Sequence, residues 1–242
     1  TDIALLKVES ETPLPFVTLD PEGATDLDQA FAMEPSGADW LLHYAIADVD
    51  WFVHDGDAVD SEAWKRGTTL YLPDGKAGLH PPVLAEGAAS LLPDGPRPAI
   101  VFTTRITPDG EASIDGVERA IVRSRAKLAY ETVRDDQLPH GFVEIARRIT
   151  AAEDRRGAGR VDPPEQEVHQ TDDGRFALIF RDKKPSEDQN ACLSLATNLA
   201  IAKSLMAHQT GLFRVMPPPD DVAITRLRET AHAFGLHWPD AL

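Results

Sequence analysis

The sequence predicts an α+β fold, a mostly antiparallel β-sheet flanked by helices, on two observations. Extended apolar runs punctuated by turn residues fill the first half of the chain and helical patterns gather toward its end, an order in which strands pair with one another and helices segregate. Two turn tripeptides, Pro108-Asp109-Gly110 and Asp172-Asp173-Gly174, each separate two extended runs, as antiparallel hairpins require.

In chain order, residues 1–15 carry Pro13 and Pro15 with little periodicity and read as a lead-in, leaving 16–242 as one domain. Residues 16–19 form a short buried strand, Pro21-Glu22-Gly23 a turn, and Leu27, Ala30 and Phe31 a second extended run. The apolar run 40–47 is a further strand, and Asp48 and Asp50 after it read as strand-terminal turn residues. Val59, Ala63 and Trp64 have helical spacing, closed by Lys65, Arg66 and Gly67. Residues 68–73 are extended and carry Tyr71 into a Gly/Pro loop, KAGLHPP, after which 82–89 make a helical turn. The runs 98–107 and 112–123 form the first hairpin. Residues 142–156 place Val143, Ala146, Ile149 and Ala152 on one stripe of an amphipathic helix that ends at Gly157. Strands at 165–169 and 175–180 form the second hairpin, and helices at 188–210 and 220–234 finish the chain.

Composition narrows the function. The 242 residues are 42% hydrophobic, enough for a sizeable core, and carry 40 Asp+Glu against 24 Lys+Arg, a net charge of −16. That balance disfavours a broad nucleic-acid-binding surface while leaving room for a local basic channel. The single cysteine, Cys192, excludes an intramolecular disulfide framework and a CxxC zinc site, which fits a reducing cytoplasm. No signal peptide opens the chain, and the most apolar helical stretch, 193–207, is interrupted by Asn198 and Lys203, so no membrane span is expected. The histidines form no HExxH pattern and no serine sits in a GxSxG elbow, so zinc hydrolysis and triad catalysis find no support. His43 and His80 read as satisfied structural histidines.

Chemistry concentrates in FVTLDPEGATDLDQAFAM, residues 16–33. A strand end and the returning loop bring Asp20 and Asp26 face to face, and Asp26 and Asp28, two apart in an extended run, point to the same side. Three close carboxylates repel one another and are driven toward protonation unless a cation lies between them. Oxygen ligands suit Mg²⁺ or Mn²⁺, and such an ion can polarise a phosphodiester and acidify an attacking water. A solvated acidic loop or an Asx-turn fits the same residues. Arg119, Arg123, Arg125 and Lys127 make the one dense basic row, either an exposed strand face or a phosphate track.

Five segments, FVTLDPEGATDLDQAF, HYAIADVDWFV, TTLYLP, LHPPVLAEGAASLLPDGPRPA and RSRAKLAYETV, resemble in order and spacing the front half of the RNB domain. This is the catalytic domain of the ribonuclease II and ribonuclease R family, and the resemblance weakens after Arg134. It implies an RNB-like fold and a 3′→5′ exoribonuclease that needs Mg²⁺ or Mn²⁺, degrades single-stranded RNA and releases nucleoside 5′-monophosphates. By the same resemblance Asp20 is a metal ligand, and Asp26 and Asp28 complete the metal shell and activate the attacking water. Tyr71 stacks near the 3′-terminal nucleotide, Tyr130 supports the site, and Asp48 is structural. Arg123, Arg125 and Lys127 become candidates for the RNA channel, with further RNA-binding domains expected outside this chain.

The chain departs from the family pattern in three places. Gln29 stands where the fourth motif aspartate is usual, so the catalytic set is Asp20, Asp26, Asp28 and Gln29, with an amide that adds no charge. Ala191-Cys192 replaces an acidic pair, although Glu187 and Asp188 stand a turn earlier. The sequence stops at Leu242, before the family's arginine near the scissile phosphate. These departures keep open an RNB-like domain that binds RNA or protein without cleaving, and a metal phosphodiesterase acting on DNA or small nucleotides.

Overall fold

The computed structural model describes residues 13–72, 75–159, 165–213, 215 and 217–239, so the expected lead-in lies outside them as far as residue 12. Two compact units divide the chain, one ending at His208 and the other beginning at Gln209. In chain order the strands are β1 (Val17–Asp20), β2 (Gln29–Ser36), β3 (Asp39–Ala47), β4 (Leu70–Leu72), β5 (Gly75–Ala77), β6 (Pro96–Ile106), β7 (Ala112–Arg123), β8 (Ala126–Ala129), β9 (Glu165–Gln170) and β10 (Phe176–Arg181). The helices are α1 (Ala58–Arg66), α2 (Phe142–Arg155), α3 (Pro185–Ala207) and α4 (Asp221–Ala233).

The first unit is built on a six-stranded sheet in the order β7-β6-β3-β2-β1-β8. Every neighbouring pair is antiparallel except β1 and β8, which run parallel from Val17↔Ala126 to Asp20↔Ala129. The α+β expectation therefore holds, with β8 as the element missed: a parallel partner returns through a long crossover that no local turn signal encodes.

Only Ser124 and Arg125 separate β7 from β8, yet these strands end the sheet order. Three residue steps span at most about 11 Å. The outer strands of a flat six-stranded sheet stand roughly 24 Å apart, so the sheet must curl until its edges approach. Small residues face the strand-lined core, with Ala30, Ala32, Ala45, Ala99 and Ala120 alongside Phe16, Leu27, Val101 and Val122, which allows that close approach. The opposite face carries Phe31, Leu42 and Tyr44 and is covered by α2 and α3 through Phe142, Ile145, Ile149, Leu193 and Ala196. Phe31 and Phe142 stack with centroids 5.4 Å apart. Each large apolar side chain buried this way contributes about 1.5–3 kcal/mol before chain entropy is charged against it.

The β6–β7 turn is locked to α2. Gly110 has φ +74°, and a Cβ there would run into the Arg148 carbonyl. Backbone strain and contact both demand glycine at this position.

Elsewhere the structure corrects the sequence expectations. In α2 the buried stripe is Phe142, Ile145, Ala146, Ile149 and Ala152, with Val143 turned to solvent, because Phe142 at the helix start anchors the stripe one residue earlier. Helix α1 forms as expected, capped by Asp57 and closed by Gly67, but it buries no residue and Trp64 is 81% exposed. Part of the expected KAGLHPP loop is strand β5, hydrogen-bonded to β4. Helix α3 starts at Pro185, three residues early, where Glu187 accepts from the Lys184 amide at 2.8 Å. Hairpin β9–β10 is a separate two-stranded sheet. In the second unit, α4 is capped by Asp220, which accepts from the Ala223 amide at 2.7 Å. Among the described residues no helix is long and apolar enough to cross a membrane.

Candidate active site

The acidic segment enters the site by a different route from the one its spacing implied. Strand β2 begins only at Gln29, so Asp26 and Asp28 stand in an irregular stretch rather than on a strand. That stretch is fixed from outside. The Leu27 amide donates to Ser90 Oγ at 3.0 Å, Ser90 Oγ donates to the Thr25 carbonyl at 2.7 Å, and the Leu91 amide donates to the Leu27 carbonyl at 2.8 Å. Leu27 is fully buried, and Asp26 and Asp28 on either side of it line a cleft of about 670 Å³ together with Asp20, Tyr71, Lys76 and His80. Ser90 was invisible in the sequence: a serine in an apolar run announces no partner sixty-odd residues away.

The carboxylates do not share one electrostatic state. Burial, then the charges of Asp28 and Asp26, push the Asp20 carboxyl up to about 6, against the pull of Lys127. Burial and the Asp26 charge also raise Asp28, although its side chain meets the open cleft. Burial works the same way on Asp26, but a hydrogen bond from Lys76, with backbone N–H donors and the ammonium charge, outweighs it and leaves that carboxyl below its ordinary range. Asp20 Oδ2 is buried without a hydrogen-bond partner. Among the described residues no three His, Cys, Asp or Glu side chains gather into a metal cage. Mg²⁺ binds through one or two carboxylates and completes its shell with water and phosphate. Asp20, with its orphaned oxygen, and Asp28 fit that donor set, whereas Asp26 is engaged by Lys76.

Gln29 is turned to other work. Its side-chain carbonyl accepts a hydrogen bond from the Tyr44 hydroxyl on β3. Tyr44 is 3% exposed, and burial holds its hydroxyl firmly protonated. Tyr130 lies beside Asp20, its amide donating to the Asp20 carbonyl at 3.1 Å. Burial pushes its phenol up to about 12, against a hydrogen bond from Asn190. Asn190 of α3, 3% exposed, donates at 2.7 Å to the Tyr130 hydroxyl and at 3.3 Å to the Leu19 carbonyl. Asn190 thus reaches the end of β1 from the helix where an acidic pair was sought. Of the expected substitutes, Glu187 is paired with Arg181 at 2.7 Å and Asp188 with Lys183 at 2.6 Å, while Cys192 is buried in the core.

The basic row is not one row. Arg119 and Arg123 lie on β7, Lys127 on β8, and Arg125 in the link between them. Arg119 is withdrawn: it pairs with buried Asp48, reaches Asp50 at 2.9 Å and sits 5.6 Å from the Trp51 ring centroid. This gives Asp48 a structural role. Arg123 and Arg125 are exposed, and Arg125 donates to the Pro13 carbonyl at 3.3 Å. Lys127 donates to the Glu22 carbonyl at 2.8 Å. Tyr71 is 76% exposed at the cleft mouth. His43 bridges Thr103 and Glu34 at 3.2 Å each, as a structural histidine should, but His80 lines the cleft with Nδ1 unpartnered.

Known proteins resemble this chain in sequence and fold. The RNB domain family matches residues 10–239. Ribonuclease R of Escherichia coli is 28% identical over 245 residues, covering 93% of this chain and 30% of that protein. Exoribonuclease 2 of Vibrio vulnificus is 31% identical over 224 residues, covering 84% and 33%. The chain thus spans about a third of the length of these relatives. The solved structure of Mycoplasma genitalium RNase R in complex with double-stranded RNA superposes with a TM-score of 0.88 at 21% identity, covering 100% of this chain and 46% of that one. On the extent of the family match and the shared fold, this chain belongs to the RNB domain family.

Proposed function

We infer that residues 16–242 are the front portion of an RNB catalytic domain, in a metal-dependent 3′→5′ exoribonuclease that hydrolyses single-stranded RNA to nucleoside 5′-monophosphates. The observation that carries this reading is the buried, unpartnered Asp20 Oδ2 in a cleft shared with Asp28 and the exposed ring of Tyr71. Asp20 and Asp28 would hold the ion. A bound Mg²⁺ or Mn²⁺ supplies neutralisation of the terminal phosphodiester and a more acidic water. In the hydrolysis, water oxygen joins phosphorus and the P–O3′ bond breaks, leaving a 3′-hydroxyl on the shortened RNA and the phosphate on the 5′ carbon of the released nucleotide. Asp28, open to the cleft beside Asp20, would also be the carboxylate nearest the attacking water. Tyr71 holds the 3′-terminal base by stacking. Tyr130, fixed by Asn190, supports the Asp20 end of β1. Arg123, Arg125 and Lys127 are the cations offered to the RNA backbone.

The test is 5′-labelled single-stranded RNA incubated with Mg²⁺ or Mn²⁺ and then with EDTA. A metal-dependent ladder shortening from the 3′ end is the expected result, and an intact RNA bound by a folded protein overturns it. The commitment of Gln29 to Tyr44 favours one second reading, an RNB-like domain that binds RNA without cleaving it.

A further inference from the structure

Lys76 holds a position that the acidic segment alone does not explain. It lies on β5 directly opposite Tyr71 of β4, so the exposed ring and the ammonium belong to one hairpin. Its Nζ is 2.9 Å from Asp26 and 2.9 Å from Glu86, which comes from the helical turn before Ser90. All three side chains are about one-third exposed, so solvent reaches the group without dissolving it. The cleft carboxylates are thereby sorted into two pairs. Asp26 and Glu86 share a cation the protein itself supplies, while Asp20 keeps an oxygen with no partner and faces the charge of Asp28.

We propose that Lys76 is a positioning residue that serves as a tethered cation: it satisfies Asp26 and Glu86 and so restricts the cleft to a single divalent ion on Asp20 and Asp28. The proposal rests on the metal-dependent reading above and assigns Lys76 a role within it. The physical basis is charge count. An ammonium between two carboxylates repels a divalent ion a few ångströms away and removes one carboxylate from its reach. Removing the ammonium leaves Asp26 and Glu86 facing each other without compensation, the condition in which carboxylates recruit a cation or a proton.

Mn²⁺ binding to the RNA-free protein tests this, with free Mn²⁺ followed by electron paramagnetic resonance in the parent chain, Lys76→Met, Lys76→Arg and Lys76→Met combined with Glu86→Gln. The parent and Lys76→Arg proteins should bind a single ion, and Lys76→Met either a second ion or the first one roughly tenfold more tightly. The double variant should lose most of that gain. Matching thermal unfolding curves establish that each variant is folded. If the parent binds one ion and Lys76→Met leaves count and affinity unchanged, Lys76 is an ordinary surface ion pair, and the role proposed for it falls while the metal-dependent reading stands. A parent chain that binds no Mn²⁺ removes the metal-dependent reading itself and the role of Lys76 with it.

Discussion

The Tyr44 hydroxyl donates to the Gln29 side-chain carbonyl across the β2–β3 ladder, joining a buried phenol to the residue where the resemblance to the family implies a fourth aspartate. The two are diagonal neighbours, since Tyr44 is opposite Phe31 and Gln29 is opposite Ile46, and long side chains reach across that diagonal. Gln29 therefore does not act simply as a weaker metal ligand. Its carbonyl oxygen already accepts from Tyr44, which leaves one lone pair and fixes its direction toward a buried hydroxyl.

Gln29→Asp should accordingly have two separable effects. The shorter side chain gives up the Tyr44 hydroxyl, which keeps Ser194 as its remaining partner, so the loss should cost about 1 kcal/mol. It also adds a carboxylate next to Asp28 in the chain, so Mn²⁺ should bind more tightly. Tyr44→Phe should bring a smaller destabilisation and no gain in ion affinity. Thermal unfolding and Mn²⁺ titration on the same preparations read both effects. Equal ion affinity in Gln29→Asp and the parent chain would show that position 29 does not address the cleft.

Asp28→Asn keeps the side-chain volume and removes the charge from the open carboxylate of the cleft. Even groups that only orient metal ligands are worth about 10–100-fold in affinity or activity. Loss of a proposed ligand should therefore reduce Mn²⁺-dependent degradation of single-stranded RNA by roughly 100-fold or more, with the melting temperature nearly unchanged. Full degradation by Asp28→Asn, on the gel assay described above, would remove Asp28 from the catalytic set.

How far the sequence could be read depends on whether each contact is local. Hairpin β6–β7 and the end of α1 were legible because Pro108-Asp109-Gly110 and Gly67 act on their immediate neighbours. Asp20, Asp26 and Asp28 do line one cleft, but Asp26 and Asp28 reach it by another route than the one their spacing suggested. Their convergence comes from Ser90 and Leu91 gripping residues 25 and 27, not from an extended strand. Lys76 and Asn190 were missed because the partners they hold lie 50 and 171 residues away. Arg119 was misread for the same reason, since the carboxylates that hold it come from the end of another strand.

Tyr71→Ala should weaken RNA binding without weakening the fold. The ring is mostly exposed and packs against little, so truncation costs almost no stability, whereas one base stacked on an aromatic ring is worth about 1–3 kcal/mol. Fluorescence anisotropy with labelled single-stranded RNA in EDTA isolates binding from cleavage. Tyr71→Phe should keep most of the affinity. An unchanged dissociation constant for Tyr71→Ala would place the 3′-terminal base elsewhere.

Arg119→Met separates a structural cation from a phosphate-binding one. The Arg119 side chain is 10% exposed and that of Asp48 is 2% exposed. Deleting the guanidinium strands a buried carboxylate, and breaking one partner of a buried pair costs about 3–5 kcal/mol. The variant should therefore melt well below the parent protein while, at a temperature where both are folded, the salt dependence of RNA binding stays the same. A residue that neutralises an RNA phosphate behaves in the opposite way: its loss leaves the melting temperature in place and lowers the slope of log K against log salt by about 0.7 for a single strand. Lys127→Met, whose ammonium donates to a backbone carbonyl at the turn beside Asp20, is the comparison variant expected to follow that second pattern. A lowered salt slope in Arg119→Met would return Arg119 to the RNA track and leave Asp48 to be stabilised by other means.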